Sequence, residues 1–119
     1  MPKSITKHRL TAFERQNGRC HYCGLPMWNK QPTELTAKYR ITEGEASRLR
    51  CTAEHLVAKQ DGGTDSKDNI VAACQFCNWT RHSIPSQPNP TNYRKRVGRR
   101  IRAGKWHPRN VLNLMAITA

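Results

Sequence analysis

Two Cys-x-x-Cys pairs constrain this chain more than any other feature: Cys20 with Cys23, and Cys74 with Cys77. Each pair presents two thiolates on one turn, and four thiolates complete the tetrahedron that a structural zinc ion prefers. The 50 residues between the pairs must then form a folded unit whose two ends meet at the metal. We predict a structural zinc site filled by sulfur, with no open position for catalysis. The fifth cysteine, Cys51, is expected to be a small core residue.

Length and charge narrow the class of protein. A chain of 119 residues suffices for one domain with an extension, and it buries only about two-thirds of its unfolded surface, so a metal would matter for stability. It carries 21 Lys and Arg against 8 Asp and Glu, a formal charge of +13. Such a charge indicates a polyanionic partner: nucleic acid, with an anionic membrane as the alternative.

The sequence also carries signals of location. No apolar run approaches the roughly 20 residues that span a bilayer, and residues 1–10 contain no signal-peptide core. We therefore expect a cytoplasmic protein, in a bacterial host cell if a phage encodes it. In a reducing compartment, cysteines at metal spacing bind metal rather than form disulfides.

Local patterns predict an α+β fold. Residues 49–57 favour a strand, 70–73 a second strand, and 75–83 a helix that the second cysteine pair opens. A capping box at 11–14 predicts the start of a short helix, which Gly18 would end. The conformation of 25–47 does not follow from its sequence.

The C-terminal part has a different character. All eight acidic residues lie between Glu14 and Asp68, so most of the positive charge belongs to the second half. Three prolines predict a stiff linker over 85–90, and apolar residues every four positions predict a helix over 93–101. We expect two units: a zinc-containing core at 1–84, and a linker with a basic DNA-contacting extension at 85–119.

Five short segments resemble the HNH endonuclease family, whose fold is called ββα-metal. They are Arg19 to Gly24, Glu54-His55, Asp61 to Asp65, Asp68 to Val71, and Cys74 to Asn78. Their order and spacing are similar to the family's over about 15–82. The resemblance implies a small ββα-metal core with a four-cysteine zinc, and DNA cleavage assisted by a single divalent cation.

The resemblance also implies roles for individual residues. His55 takes the place of the general base, which suits an imidazole that titrates near neutral pH. Glu54 and Asn78 would bind the catalytic Mg²⁺ or Mn²⁺ through oxygen, and Asn69 would brace the loop that orients His55. His82, four positions after Asn78, is an additional ligand, a phosphate contact or simply a histidine at a helix end.

Two positions depart from the family pattern. The residue before the histidine is most often Asp in the family, whereas Glu54 is one methylene longer, so the ion could sit differently or bind through water. Asn78 stands where the family name has histidine, although asparagine variants exist. By resemblance, cleavage would leave 5′-phosphate and 3′-hydroxyl ends.

A cluster of cations in the extension predicts contact with DNA, in our expectation double-stranded, through phosphate neutralisation. The expected DNA-binding residues are Arg94, Lys95, Arg96, Arg99, Arg100, Arg102 and Lys105, together with Arg81 near the second cysteine pair. Tyr93 and Trp106 would either stack on bases or anchor the extension to the core.

Two other functions remain open at this stage. The first is a zinc-containing DNA-binding module without catalysis, and the second is an RNA-binding or RNA-cleaving protein. A membrane-surface role is disfavoured, because the apolar stripe of the extension is thin. The sequence does not specify the target, nicking against double-strand cutting, a homodimer or a packaging partner.

Overall fold

The computed structural model describes residues 3–118 and contains two strands and seven helices within that range. Two short 3₁₀ turns, Lys59–Asp61 and Lys67–Asn69, lie in the loop between the strands. The elements are α1 (Lys3–Arg15), α2 (Thr33–Thr36), α3 (Glu43–Ser47), β1 (Cys51–His55), β2 (Ile70–Cys74), α4 (Gln75–Ser83), α5 (Pro90–Arg102), α6 (Arg109–Leu112) and α7 (Leu114–Ile117).

The two strands form an antiparallel hairpin whose register aligns Cys51 with Cys74 and His55 with Ile70. All five residues of β2 are buried, which explains its continuous apolar sequence. At the outer edge of β2, the side chain of Gln16 forms hydrogen bonds with the backbone of Ala72. Gln16 donates its Nε2 to the carbonyl of Ala72 at 2.8 Å, and its Oε1 accepts from the Ala72 N–H at 3.0 Å. The predicted order of strand, loop, strand and helix is confirmed.

Helix α4 lies across the face of the hairpin to which Thr52 and Glu54 point. Cys74 caps this helix, because its Sγ accepts from the N–H of Cys77 at 3.4 Å. Asn78 Nδ2 donates to Thr52 Oγ1 at 2.9 Å and joins the first turn of α4 to β1. The range Gln75–Ser83 is the one that the sequence predicts. The fold is therefore a ββα core of the α+β class.

The extension packs onto this core through buried aromatic and aliphatic side chains. Asn89 caps α5, accepting from the N–H of Asn92 at 2.8 Å, and Pro90 occupies its first turn. Tyr93 and Val97 are fully buried, which confirms the predicted apolar stripe. Val111 of α6 and Leu114 of α7 belong to the same buried cluster.

Helix α1 differs from the prediction. The capping box at 11–14 was expected to start a helix, but α1 already runs from Lys3 to Arg15. Thr11 lies inside the helix, where its Oγ1 donates to the carbonyl of Lys7 at 3.0 Å. The prediction was wrong because a Thr hydroxyl can bond to the preceding turn as well as cap a new one. Gly18 does follow the helix end, with a φ of 73°.

The segment 25–47, for which the sequence gives no prediction, contributes two short helices and part of the core. Leu25 and Leu35 are buried, and Thr42 forms a capping box with Glu45 at the start of α3. Within 3–118, no helix combines the length and the apolar character needed to cross a membrane.

Candidate active site and zinc centre

The four cysteines of the two pairs converge. The Sγ atoms of Cys20, Cys23, Cys74 and Cys77 all lie within 4.8 Å of one another, and all four residues are buried. Zinc–sulfur bonds of about 2.3 Å place tetrahedral sulfurs about 3.8 Å apart. The Sγ atoms of Cys23 and Cys74 are 3.9 Å apart. A set of four soft donors at this spacing fits a structural zinc ion.

The thiols of the cluster differ in pKa: burial, and then hydrogen bonds with Cys20 and Cys23, raise the pKa of Cys74 and of Cys77 well above the usual range. Burial acts to raise the pKa of the Cys20 thiol, yet hydrogen bonds from Cys23, Cys74 and Cys77 outweigh it and hold that pKa well below its usual range. The Cys20 Sγ also accepts from the backbone N–H of Cys74 at 3.3 Å. Cys51 is buried outside the cluster, in agreement with its predicted place in the core.

The extension contacts the zinc centre directly. The indole N–H of Trp106 donates to the Sγ of Cys77 at 3.2 Å, and the hydroxyl of Tyr93 donates to the carbonyl of Cys77 at 2.6 Å. Both aromatic residues are buried. Of the two predicted roles for them, the structure shows anchoring rather than an exposed stacking surface.

Glu54 is a deeply buried carboxylate, with 1% of its surface exposed. Its Oε2 accepts from the Tyr22 hydroxyl and from Arg81 Nη1, each at 3.1 Å. Its Oε1 lies 2.8 Å from Nε2 of His82, whose side chain is 35% exposed. Burial and then the charge of Glu54 raise the pKa of Tyr22, so this hydroxyl stays protonated and donates. One carboxylate oxygen is thus held by the core, and the other faces a solvent-accessible histidine.

Asn78 completes this group from the first turn of α4. Its Nδ2 donates to Thr52 Oγ1 and to the carbonyl of Ala53 at 3.2 Å, both on the strand that carries Glu54. These donors fix the amide, and its Oδ1 accepts no hydrogen bond from any residue within 3–118. A carboxylate, an amide oxygen and an imidazole are suitable ligands for a divalent cation such as Mn²⁺ or Mg²⁺. The donor types of these three residues therefore suit the cation that the sequence predicts.

His55 lies at the end of β1 and projects away from Glu54, as the alternation of a strand requires. Its side chain is 21% exposed, and its Nε2 lies 2.7 Å from Oδ1 of Asp65. The second oxygen of Asp65 pairs with Lys59 Nζ at 2.8 Å. Hydrogen bonds from Lys59 and then from His55 lower the pKa of Asp65, so this carboxylate stays ionised at neutral pH. Because a carboxylate only accepts, the proton of a neutral His55 ring resides on Nε2.

Asn69 connects the two ends of the loop between His55 and Asp65. Its Oδ1 accepts from the N–H of Val57 at 2.8 Å. Its Nδ2 donates to the carbonyls of Val57 at 2.9 Å and Thr64 at 2.7 Å. With all its donors and acceptors turned to the backbone of this loop, Asn69 has the geometry of the predicted brace.

Arg81 occupies a different environment from the other predicted DNA-binding residues. It is 4% exposed, and its guanidinium also donates to the carbonyls of His55 at 3.3 Å and Pro88 at 3.1 Å. A side chain in this position links α4 to the end of β1 and to the linker, and it is shielded from an incoming polyanion. The seven cations of the extension, by contrast, are exposed: Arg94, Lys95, Arg96, Arg99, Arg100, Arg102 and Lys105.

Sequence reasoning missed three residues of this arrangement: Tyr22, Lys59 and Asp65. Tyr22 is one of the two residues between Cys20 and Cys23, and the Cys-x-x-Cys pattern specifies the two cysteines but not the residues between them. Asp65 was noted only as the end of a segment that resembles the family and was given no role, although an acid ten residues after a candidate general base is a signal that could have been followed.

Two antiparallel strands with a helix across them, tied together by four cysteines, define a small ββα-metal module. A family model described as HNH endonuclease matches residues 20–83, more than half of the chain. The protein belongs to the HNH endonuclease family, and this membership indicates a nuclease or DNA-binding function. Comparison with curated proteins gives no match, and comparison with solved structures gives none either.

Proposed function

We propose that this protein is a metal-dependent DNA endonuclease that hydrolyses phosphodiester bonds and leaves 5′-phosphate and 3′-hydroxyl ends. The observation that carries the proposal is the side-by-side arrangement of two groups on adjacent residues of β1. Glu54 Oε1 lies 2.8 Å from Nε2 of His82, and at the next residue, which ends the strand, Nε2 of His55 lies 2.7 Å from Oδ1 of Asp65.

His55 acts as the general base in this proposal. With the Nε2 proton held by Asp65 at 2.7 Å, the lone pair of the neutral ring is on Nδ1, where it can accept a proton from water. Asp65 is a positioning residue: it fixes the tautomer and stabilises the imidazolium that forms, as a carboxylate does in other carboxylate–histidine pairs. Asn69 holds the loop that carries both partners.

The divalent cation would be held by Glu54 Oε1, Asn78 Oδ1 and His82 Nε2. When bound, such an ion stabilises negative charge on the phosphate and on the departing 3′ oxygen. Arg81 and Tyr22 hold the other carboxylate oxygen at 3.1 Å each, so the ligand is oriented before the ion arrives.

In this proposal the two predicted units have different roles. Residues 1–84 would carry the zinc and the catalytic groups, and 85–119 would supply the linker and the contacts with DNA. The proposed contacts are the seven exposed cations of the extension, and the buried position of Arg81 leads us to omit it. A formal charge of +13 supports electrostatic attraction to the phosphate backbone.

Incubation of supercoiled plasmid with the zinc-loaded protein tests this function. We expect nicked or linear DNA in the presence of Mg²⁺ or Mn²⁺ and none without a divalent cation in the buffer. Ligation of the nicked product without prior end repair would identify the predicted ends. Binding without cleavage at any metal concentration would favour the non-catalytic DNA-binding module, and faster cleavage of structured RNA would overturn the choice of substrate.

A further inference from the structure

A groove of about 790 Å³ runs between α5 and the end of β1. Four cations of α5 line it: Arg94, Lys95, Arg99 and Arg102. We propose that this groove holds the sugar-phosphate backbone of one substrate strand next to the scissile phosphate. The inference rests on the proposed nuclease function and narrows it: the four groove cations contact this strand, whereas Arg96, Arg100 and Lys105, on another face, contribute mainly long-range attraction.

The helical spacing of α5 sends its cations to two separate faces. The four groove cations recur at intervals that place them on one side of the helix. Arg96 and Arg100 point to another side, where they join Lys105 around a second depression of about 450 Å³. The buried stripe of Tyr93 and Val97 packs against the core and leaves both basic faces exposed.

The first groove reaches the end of the catalytic strand, whereas the second is lined by residues of α4, of α5 and of the segment that follows α5. Leu56, the residue directly after His55, forms part of the wall of the first groove. His21, from the turn of the first cysteine pair, lies on the same lining. A strand seated against α5 would therefore pass the end of β1, and no acidic side chain is among the described residues that line its path.

Gly98 gives the groove its open floor. It lies in the interior of α5, where glycine costs about 1 kcal/mol relative to alanine. A Cβ at this position would meet one atom within 4 Å, the Nη1 of Arg102 at 3.4 Å. The space above Gly98 is thus unfilled by the protein, and a larger side chain there would enter the groove without changing its charge.

Two matched pairs of variants test the inference, with binding of a fluorescent DNA duplex to the zinc-loaded protein followed by anisotropy in buffer without Mg²⁺ or Mn²⁺. The first pair compares Arg94→Gln/Arg99→Gln with Arg96→Gln/Arg100→Gln, which remove equal charge from opposite faces of α5. We expect the slope of log affinity against log salt to fall by about two units in the groove variant and by much less in the other.

The second pair separates occupation of the groove from long-range attraction. Gly98→Leu fills the groove at constant charge and should weaken binding about tenfold, whereas Asn92→Leu, at an exposed position of the same helix, should leave it unchanged. Circular dichroism and zinc content establish that each variant is folded.

Equal loss from the two arginine pairs, or normal binding by folded Gly98→Leu, would overturn the groove as the site of the strand. If the wild-type protein binds through the groove but never cleaves, the inference stands and the nuclease function fails. A wild-type protein that does not bind DNA at all overturns both.

Discussion

Replacement of Glu54 by Gln tests whether the candidate cation ligand is held in the core by a buried ion pair. The side chains of Glu54 and Arg81 are 1% and 4% exposed, and their charged atoms are 3.1 Å apart. Glu54→Gln keeps the shape of the side chain but leaves the Arg81 charge buried without its partner. Loss of one member of such a pair destabilises a protein by about 3–5 kcal/mol. For a chain of this size, that corresponds to a melting temperature lower by roughly 10–20 °C.

Urea unfolding followed by far-UV circular dichroism, at a fixed free zinc concentration, measures this change. Glu14→Gln removes a carboxylate from an exposed position of α1 and serves as the control, with an expected change within about 0.5 kcal/mol. The double variant Glu54→Gln/Arg81→Met should lose less stability than the sum of the two single changes, because it no longer contains an unpaired buried charge. A Glu54→Gln protein as stable as the control would refute the reasoning.

Three further predictions concern the partners of the two sites. Asp65→Asn should lower the cleavage rate at saturating DNA at least about tenfold without weakening DNA binding, because it removes the group that orients His55; single-turnover kinetics and anisotropy measure the two effects separately. Trp106→Phe removes the N–H donor to Cys77 and should weaken zinc binding about tenfold, measured by competition with a chelator. Burial and then the charge of Arg48 lower the pKa of His107 from 6.5 to about 4. The unfolded chain therefore takes up this proton first, and about 3 kcal/mol of stability is lost as the pH falls from about 6.5 to about 4. Urea unfolding across that pH range should show that the wild type loses about 3 kcal/mol more unfolding free energy than His107→Phe does. Parallel plots of unfolding free energy against pH would contradict the assignment.

The parts of the fold that local sequence dictates were predictable. The spacing of the cysteines predicts the four-cysteine cluster, because each Cys-x-x-Cys turn supplies two thiolates and two such turns complete one tetrahedral zinc site. The apolar run 70–73 predicts β2, and the second cysteine pair predicts the start of α4 at Gln75. The apolar residues Tyr93 and Val97 predict α5 and its buried face because side chains four apart share one side of a helix.

The contacts inside the candidate site could not be predicted in the same way. The pairing of Glu54 with Arg81 depends on the rotation of α4 over β1, which no local pattern encodes. The approach of Asp65 to His55 depends on the path of a loop that Asn69 ties together through its side chain. The expected roles of His55 and Asn78 come from the family resemblance, whereas the contacts of each side chain follow only from the three-dimensional structure.

Plasmid cleavage by His55→Ala is the most direct test of the central claim that this zinc-bound ββα module is a nuclease. We expect the variant to keep its zinc content and its DNA affinity and to lose metal-dependent nicking by at least a hundredfold, the lower range for a positioned general base. His8→Ala, which changes a histidine of α1 outside the site, should nick as wild type does. Equal nicking by His55→Ala and wild type would contradict the account.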